Sequence, residues 1–180
     1  MSECVKVLRD ELPYNLHIFV NSVEFIAKVI DTLKLAPEAV KIVCSTSGDS
    51  RQENQRKLGN AYPIGQPSDP AKKINFYTST CFEGCDIFDP DGVTFIVSDG
   101  RKAHTLLDIS TLFTQICGRI RDSRYKTQIV HVYSTTKYSK AVTLDEFVAA
   151  TQRTLADAEK FASDINAVDE PSREKLLKKI

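Results

Sequence analysis

The sequence lacks any net charge: 24 Lys and Arg are matched by 24 Asp and Glu over 180 residues. A global electrostatic pull toward nucleic acid or an anionic membrane is therefore excluded, and contact with a polyanion has to come from locally placed groups. No run of about eighteen apolar residues occurs, and Met1 to Glu11 mixes charged with apolar residues, so neither a membrane span nor a signal peptide is expected. The five cysteines (Cys4, Cys44, Cys81, Cys85, Cys117) contain no CxxC pair, and no histidine stands at ligand spacing beside Cys81 and Cys85. That argues against structural zinc and reads as reduced, mostly buried thiols in a cytoplasmic protein. The phosphate-cradling G-x-x-x-x-G-K-[S/T] loop and the G-x-S-x-G elbow of Ser hydrolases are both missing. A Cys phosphatase loop is excluded too, because the sixth residues after Cys81, Cys85 and Cys117 are Ile87, Asp91 and Ser123 rather than Arg.

What is present is an alternation. Five apolar, β-branched or aromatic runs read as strands: Leu16–Val20, Val40–Cys44, Ile74–Tyr77, Val93–Ser98 and Gln128–Tyr133. Most are nearly continuous rather than alternating, as expected of parallel strands covered on both faces. Asn21 and Glu24 suggest a capping box opening a helix through Phe25, Ile26, Val29, Ile30 and Leu33. A second helix is expected from about Gln52, and a third is set by Ile109, Leu112, Phe113, Ile116, Cys117 and Ile120. Thr143 and Glu146 make another capping box, opening a long helix at 144–166 whose apolar stripe suits either its own sheet or a partner. Gly59 to Pro70 reads as a surface loop. The expected fold is a three-layer α/β sandwich on a mostly parallel sheet of five or more strands, spanning residues 1–140, with a helical extension over 141–180.

In open parallel sheets ligands bind at the carboxyl ends of the strands. Here that rim comprises Asn21 and Ser22, Ser45 to Asp49, Thr78 and Ser79, Ser98 to His104, and Ser134 to Lys137. Hydroxyls, amides and glycines dominate it, chemistry suited to phosphate-bearing ligands. On the expected third helix, Gln115 and Arg119 share the polar side, with Gly118 between them. Read alone, that face is equally an anion-reading surface and a solvated one. His17 and His131 fall in strands and read as structural, whereas His104 follows Arg101 and Lys102 on an exposed loop.

The order of four short segments carries a resemblance. Ile18-Phe19-Val20-Asn21-Ser22 resembles helicase motif IV, and Gly48-Asp49-Ser50-Arg51-Gln52-Glu53 resembles a G-D-x-x-Q-E segment. Tyr77-Thr78-Ser79 through Glu83-Gly84-Cys85-Asp86-Ile87 resembles motif V, and Gln115-Ile116-Cys117-Gly118-Arg119-Ile120-Arg121 resembles motif VI. From Leu16 to Tyr133 the chain thus resembles the second RecA-like lobe, of the P-loop NTPase class, in superfamily 2 DEAD/DEAH-like helicases. Its G-R-x-R variant of motif VI is similar to that of viral origin-binding helicases.

The resemblance implies that Arg119 acts as an arginine finger, an element worth about 10³ to 10⁵ in rate, with Gln115 sensing the γ-phosphate and Arg121 as a second arginine. Gly84, Asp86 and Gly118 would lie near the nucleotide. Asn21, Ser22, Gly48, Gln52, Thr78 and Ser79 would line a backbone track for DNA or RNA, with DNA favoured. ATP and Mg²⁺ would be held mainly by an N-terminal RecA-like lobe of the same polypeptide. Two departures stand out. Asp122 occupies the usual place of the second arginine, and on a continuous helix Arg121 would point about 200° from Arg119, so both serve only if the helix ends near Ile120. Among the Asp-Glu pairs, Asp10-Glu11, Asp145-Glu146 and Asp169-Glu170, none ends an apolar strand as a metal-holding pair would. The chain is therefore expected to be a fragment cut upstream of motif IV, inactive alone as an ATPase. The rival expectation is a non-catalytic nucleic-acid- or protein-binding module of the same fold.

Overall fold

A computed structural model describes residues 2–134 and 142–168. The chain forms two compact units that divide between Lys137 and Tyr138.

The first unit begins with α1 (Ser2–Leu8), a helix with no counterpart in the sequence reading. Cys4 and Val7, one turn apart, bury it in the core. Seven strands follow in chain order: β1 (Asn15–Phe19), β2 (Val40–Val43), β3 (Ile74–Tyr77), β4 (Ile87–Phe88), β5 (Gly92–Asp99), β6 (Ile120–Arg121) and β7 (Ile129–Ser134). Five of them make one sheet in the order β2-β3-β1-β5-β7, every neighbour parallel. The two-residue strands β4 and β6 pair separately through Ile87–Ile120 and Phe88–Arg121.

Strand alternation divides the core in two. Leu16, Ile18, Ile74, Phe76, Val93 and Phe95 face α1, α2 (Val23–Leu33) and α3 (Ser50–Leu58), with Ile26, Val29, Ile30 and Leu58 closing that layer. Phe19, Val43, Tyr77 and Ile96 point the other way, onto a helical segment that runs as a π-turn over Ile109–Phe113 and then as α4 (Thr114–Cys117). Ile116 of that segment is fully buried, a contribution of about 1.5–3 kcal/mol from apolar transfer. Helices thus cover both faces of an all-parallel sheet, the three-layer α/β arrangement expected.

Three local expectations are corrected. The cap of α2 is Ser22, whose hydroxyl accepts the Phe25 amide at 3.2 Å, and not Asn21. The third helix stops at Cys117, because at Gly118 the amide turns back to the carbonyl of Gln115; Ile120, which continued the apolar period, belongs to β6. Coverage on both faces holds for β1, β2, β3 and most of β5. In the edge strand β7, Val132 is 49% and Tyr133 69% exposed.

The second unit contains α5 (Leu144–Ala167), opened by the expected capping box: Thr143 Oγ1 accepts the Glu146 amide at 3.3 Å and Glu146 Oε2 accepts the Thr143 amide at 2.8 Å. No residue of α5 is buried. Asp169-Glu170 and the Lys-rich tail lie outside the described residues. No helix among the described residues is long and apolar enough to cross a membrane.

Candidate functional site

Because the five strands are parallel, their carboxyl ends share one edge. Asn21 ties that edge together: its Nδ2 donates to the His104 carbonyl at 2.8 Å, and its Oδ1 accepts the Ser79 amide at 3.4 Å. One side chain after β1 therefore joins the loops after β3 and β5. Next to it, Asp99 accepts from Ser134 Oγ at 2.7 Å, from the Arg101 amide at 3.1 Å and from Arg101 Nε at 3.2 Å. The Ser134 hydroxyl, first among these donors, holds the Asp99 carboxyl down at about 2. After β2, Ser45 and Ser47 share a hydroxyl–hydroxyl bond of 3.1 Å, and Gly48 follows at φ +53°, a conformation that favours glycine.

The rim residues are not equally available. Ser79, Gly48 and Gln52 are exposed. Thr78 is only 5% exposed, and the nearly buried Ser22 has its hydroxyl committed to the helix cap. Of the remaining rim, Ser134 is described, while residues 135–137 lie outside the described residues.

Residues of the segments 77–87 and 115–121 gather at a second place. The segment Thr78–Asp86 leaves β3 through a short 3₁₀ turn (Ser79–Cys81) and reverses at Gly84, φ +71°, before β4. An added Cβ at Gly84 would meet no atom within 4 Å, so glycine is favoured there by conformation alone. The turn brings Cys85 and Asp86 beneath the end of α4. Arg119 Nε donates to the Gln115 carbonyl at 2.9 Å and Nη1 to the Cys85 carbonyl at 3.2 Å. Its own carbonyl accepts the Ile87 amide at 2.9 Å, which locks Arg119 to the β4–β6 ladder. Arg121 Nε meets Asp86 Oδ1 at 2.9 Å, both side chains about half exposed.

Arg119 is thus joined to the Gln115 carbonyl and Arg121 to Asp86, with Gly118 and Gly84 in the turns that precede them. Arg119 reaches Gln115 by folding back past the helix end rather than along a shared helix face, and Arg121 is freed from the helical geometry by the strand. Gly118 is not a close-approach position: an added Cβ would lie 3.6 Å from the Gln115 carbonyl, ordinary contact. No hydrogen bond or ion pair among the described residues joins this cluster to Asn21, Ser22, Gly48 or Gln52. The connection runs through the backbone of Thr78–Asp86.

The two arginines differ electrostatically. Arg121 is neutralised by Asp86, whereas Arg119 is held by carbonyl oxygens and has no carboxylate partner among the described residues. Carbonyl anchors fix the fork without cancelling its charge. A guanidinium has five N–H donors, of which two are engaged here.

Two buried clusters escaped the sequence reading. His17, fully buried, takes Asp89 Oδ2 at 2.8 Å on Nε2 and the Tyr77 hydroxyl at 3.1 Å on Nδ1. Burial raises the Asp89 carboxyl, but the bonds from His17, Asn15 and the Asp91 amide outweigh that and hold it low. Gly92 sits against this cluster, its Cβ position 3.0 Å from the His17 ring, so a side chain there would require the buried ring to give by a few tenths of an ångström. The second cluster contains Lys41, only 5% exposed, whose ammonium donates to the carbonyls of Pro67 and Asp69 and lies near the thiols of Cys81 and Cys85. Neither cluster has a local signature, since the paired residues are far apart in sequence.

Among the described residues no group of three His, Cys, Asp or Glu side chains is placed to hold a metal ion. No family model matches the chain, and no curated protein or solved structure shows significant similarity to it.

Proposed function

We propose that this chain is the C-terminal RecA-like motor lobe of an ATP-dependent nucleic-acid helicase or translocase, with Arg119 as its arginine finger. The observation that carries the reading is the contrast between the two motif VI arginines. Arg119 is anchored by two carbonyls and has no carboxylate partner among the described residues, a state that suits a guanidinium to stabilise charge developing on a transferred phosphoryl group. Arg121, paired with Asp86, serves to hold the motif V turn and becomes a phosphate ligand only by exchanging that partner. Gln115 lies exposed beside Arg119, suited to orient a γ-phosphate.

ATP and Mg²⁺ would be bound mainly by a preceding RecA-like lobe carrying the phosphate loop and the metal carboxylates. On the strand-end rim, Asn21, Gly48, Gln52 and Ser79 offer amides, a hydroxyl and backbone N–H groups to a nucleic-acid backbone, a contact set without base preference. Ser22 and Thr78 support that rim from beneath. A second reading, a protein-binding module, is favoured by one observation: Leu144, Leu155 and Phe161 along α5 are each more than half exposed. Salt-dependent binding of single-stranded DNA or RNA, with ATP hydrolysis arising only when the upstream sequence is supplied, separates the two. Absence of both activities in the extended protein rejects the motor reading.

A further inference from the structure

The motif V turn carries two thiols that the proposed motor chemistry does not use. Cys81 is fully buried and Cys85 half-buried, and the Cys85 thiol donates to the Cys81 carbonyl at 3.3 Å while lying against the Cys81 thiol. Spacing of four residues across a tight turn is compatible with the Cα separation a disulfide needs. The Lys41 ammonium opposes, without overcoming, the rise that burial imposes on the Cys81 thiol. Residues 81–86 are also the segment on which both arginines rest, through the Cys85 carbonyl and the Asp86 carboxylate.

We propose that Cys81 and Cys85 are a redox modification site, a vicinal thiol pair that closes to a disulfide and fixes the turn holding Arg119 and Arg121. The oxidant class is a small-molecule disulfide such as oxidised glutathione. Cys85, the accessible thiol, loses its proton and attacks one glutathione sulfur, forming a mixed disulfide and expelling one glutathione thiolate. Cys81 then loses its proton and attacks Cys85 Sγ, expelling the second. Two protein thiols are oxidised and one glutathione disulfide is reduced to two thiols. Burial pushes the Cys81 thiol up, so this second step is the slow one. Closing a ring of five residues around Gly84 restrains the backbone that presents the Cys85 carbonyl. That the restraint regulates ATP turnover rests on the motor reading; the disulfide chemistry does not.

The test uses the full chain, incubated with oxidised glutathione and analysed by intact mass and peptide mapping. The expected result is loss of two hydrogens, a Cys81–Cys85 crosslinked peptide, return to the starting mass with dithiothreitol, and slower exchange of the Ile87 amide in the oxidised form. Cys117→Ser leaves the crosslink intact, and Cys85→Ser abolishes it. Three outcomes overturn the proposal: a stable glutathione adduct on Cys85 with no crosslink, a crosslink involving Cys44 or Cys117, or no reaction while the chain remains folded by circular dichroism. Because the readout is mass and amide exchange, a chain that never supports ATP hydrolysis can still pass or fail it.

Discussion

The carbonyl oxygen of Cys85 accepts the guanidinium of Arg119 at 3.2 Å, across 34 residues of sequence. This bond, with the Gln115 carbonyl at 2.9 Å, fixes the arginine without neutralising it, and the Gly84 turn makes it possible.

Gly84→Ala should therefore destabilise the chain by about 1–2 kcal/mol, the cost of a left-handed residue with a Cβ, although it creates no clash. Gly118→Ala, at φ −94° and with room for a methyl, should change stability by less than about 0.5 kcal/mol. Urea unfolding of the two variants checks the contrast. Equal losses would show that the turn does not depend on the positive φ of Gly84.

Asp89→Ala leaves His17 Nε2 without its partner in a fully buried site, at an expected cost of about 1–3 kcal/mol. The pH dependence follows from sign. The Asp89 carboxyl is held below its ordinary value in the folded state, so its contribution is present above the unfolded carboxyl range of about 4 and is lost as pH falls through and below it. Urea midpoints measured between neutral and acid pH should converge for the parent chain and Asp89→Ala at low pH. A constant gap across the range would contradict this.

The Asp99 carboxyl should titrate at about 2, read from its side-chain carbon resonance by NMR. Removal of the largest stabilising donor by Ser134→Ala should move the midpoint upward toward the ordinary carboxylate range. Stability tied to this group is present above its unfolded value and fades as acid protonates the folded form. A midpoint already near 4 in the parent chain would mean that the loop after β5 is not held to β7 through this carboxylate.

Thr143→Ala removes the hydroxyl that accepts the Glu146 amide, leaving the Thr143 backbone amide on Glu146 Oε2, and should cost about 1 kcal/mol of local helix stability. Faster amide exchange confined to the first turn of α5 is the expected signature. Unchanged exchange at Glu146 and Phe147 would show that the box is not the nucleus of the helix end.

The five main strands were legible because each is a compact β-branched or aromatic run, and their observed bounds shift by at most one residue where they differ. The α5 cap was legible from Thr143 and Glu146, which act across three residues. What was hidden depended on tertiary context. Ile120 keeps helical period with Ile116 yet packs as a strand, because Gly118 ends the helix and Ile87 pairs with Ile120. Asn21 looked like a cap but spends its amide bridging two loops. The His17–Asp89 pair spans 72 residues, and α1, only 7 residues long, is too short to announce itself by periodicity. The proximity of Gln115 and Arg119 was visible from motif spacing. The unequal pairing of Arg119 and Arg121 was not, since it depends on where Asp86 lands after the Gly84 turn.

The central claim is the proposed assignment of Arg119, and the most direct measurement is ATP turnover by an extended protein in which the proposed RecA-like lobe precedes this chain. Arg119→Ala should lower kcat by about 10³-fold or more, with a much smaller change in KM. Arg121→Ala should lower it less and should also loosen the Gly84 turn through loss of the Asp86 pair. Turnover unchanged by Arg119→Ala in a folded protein would contradict the account.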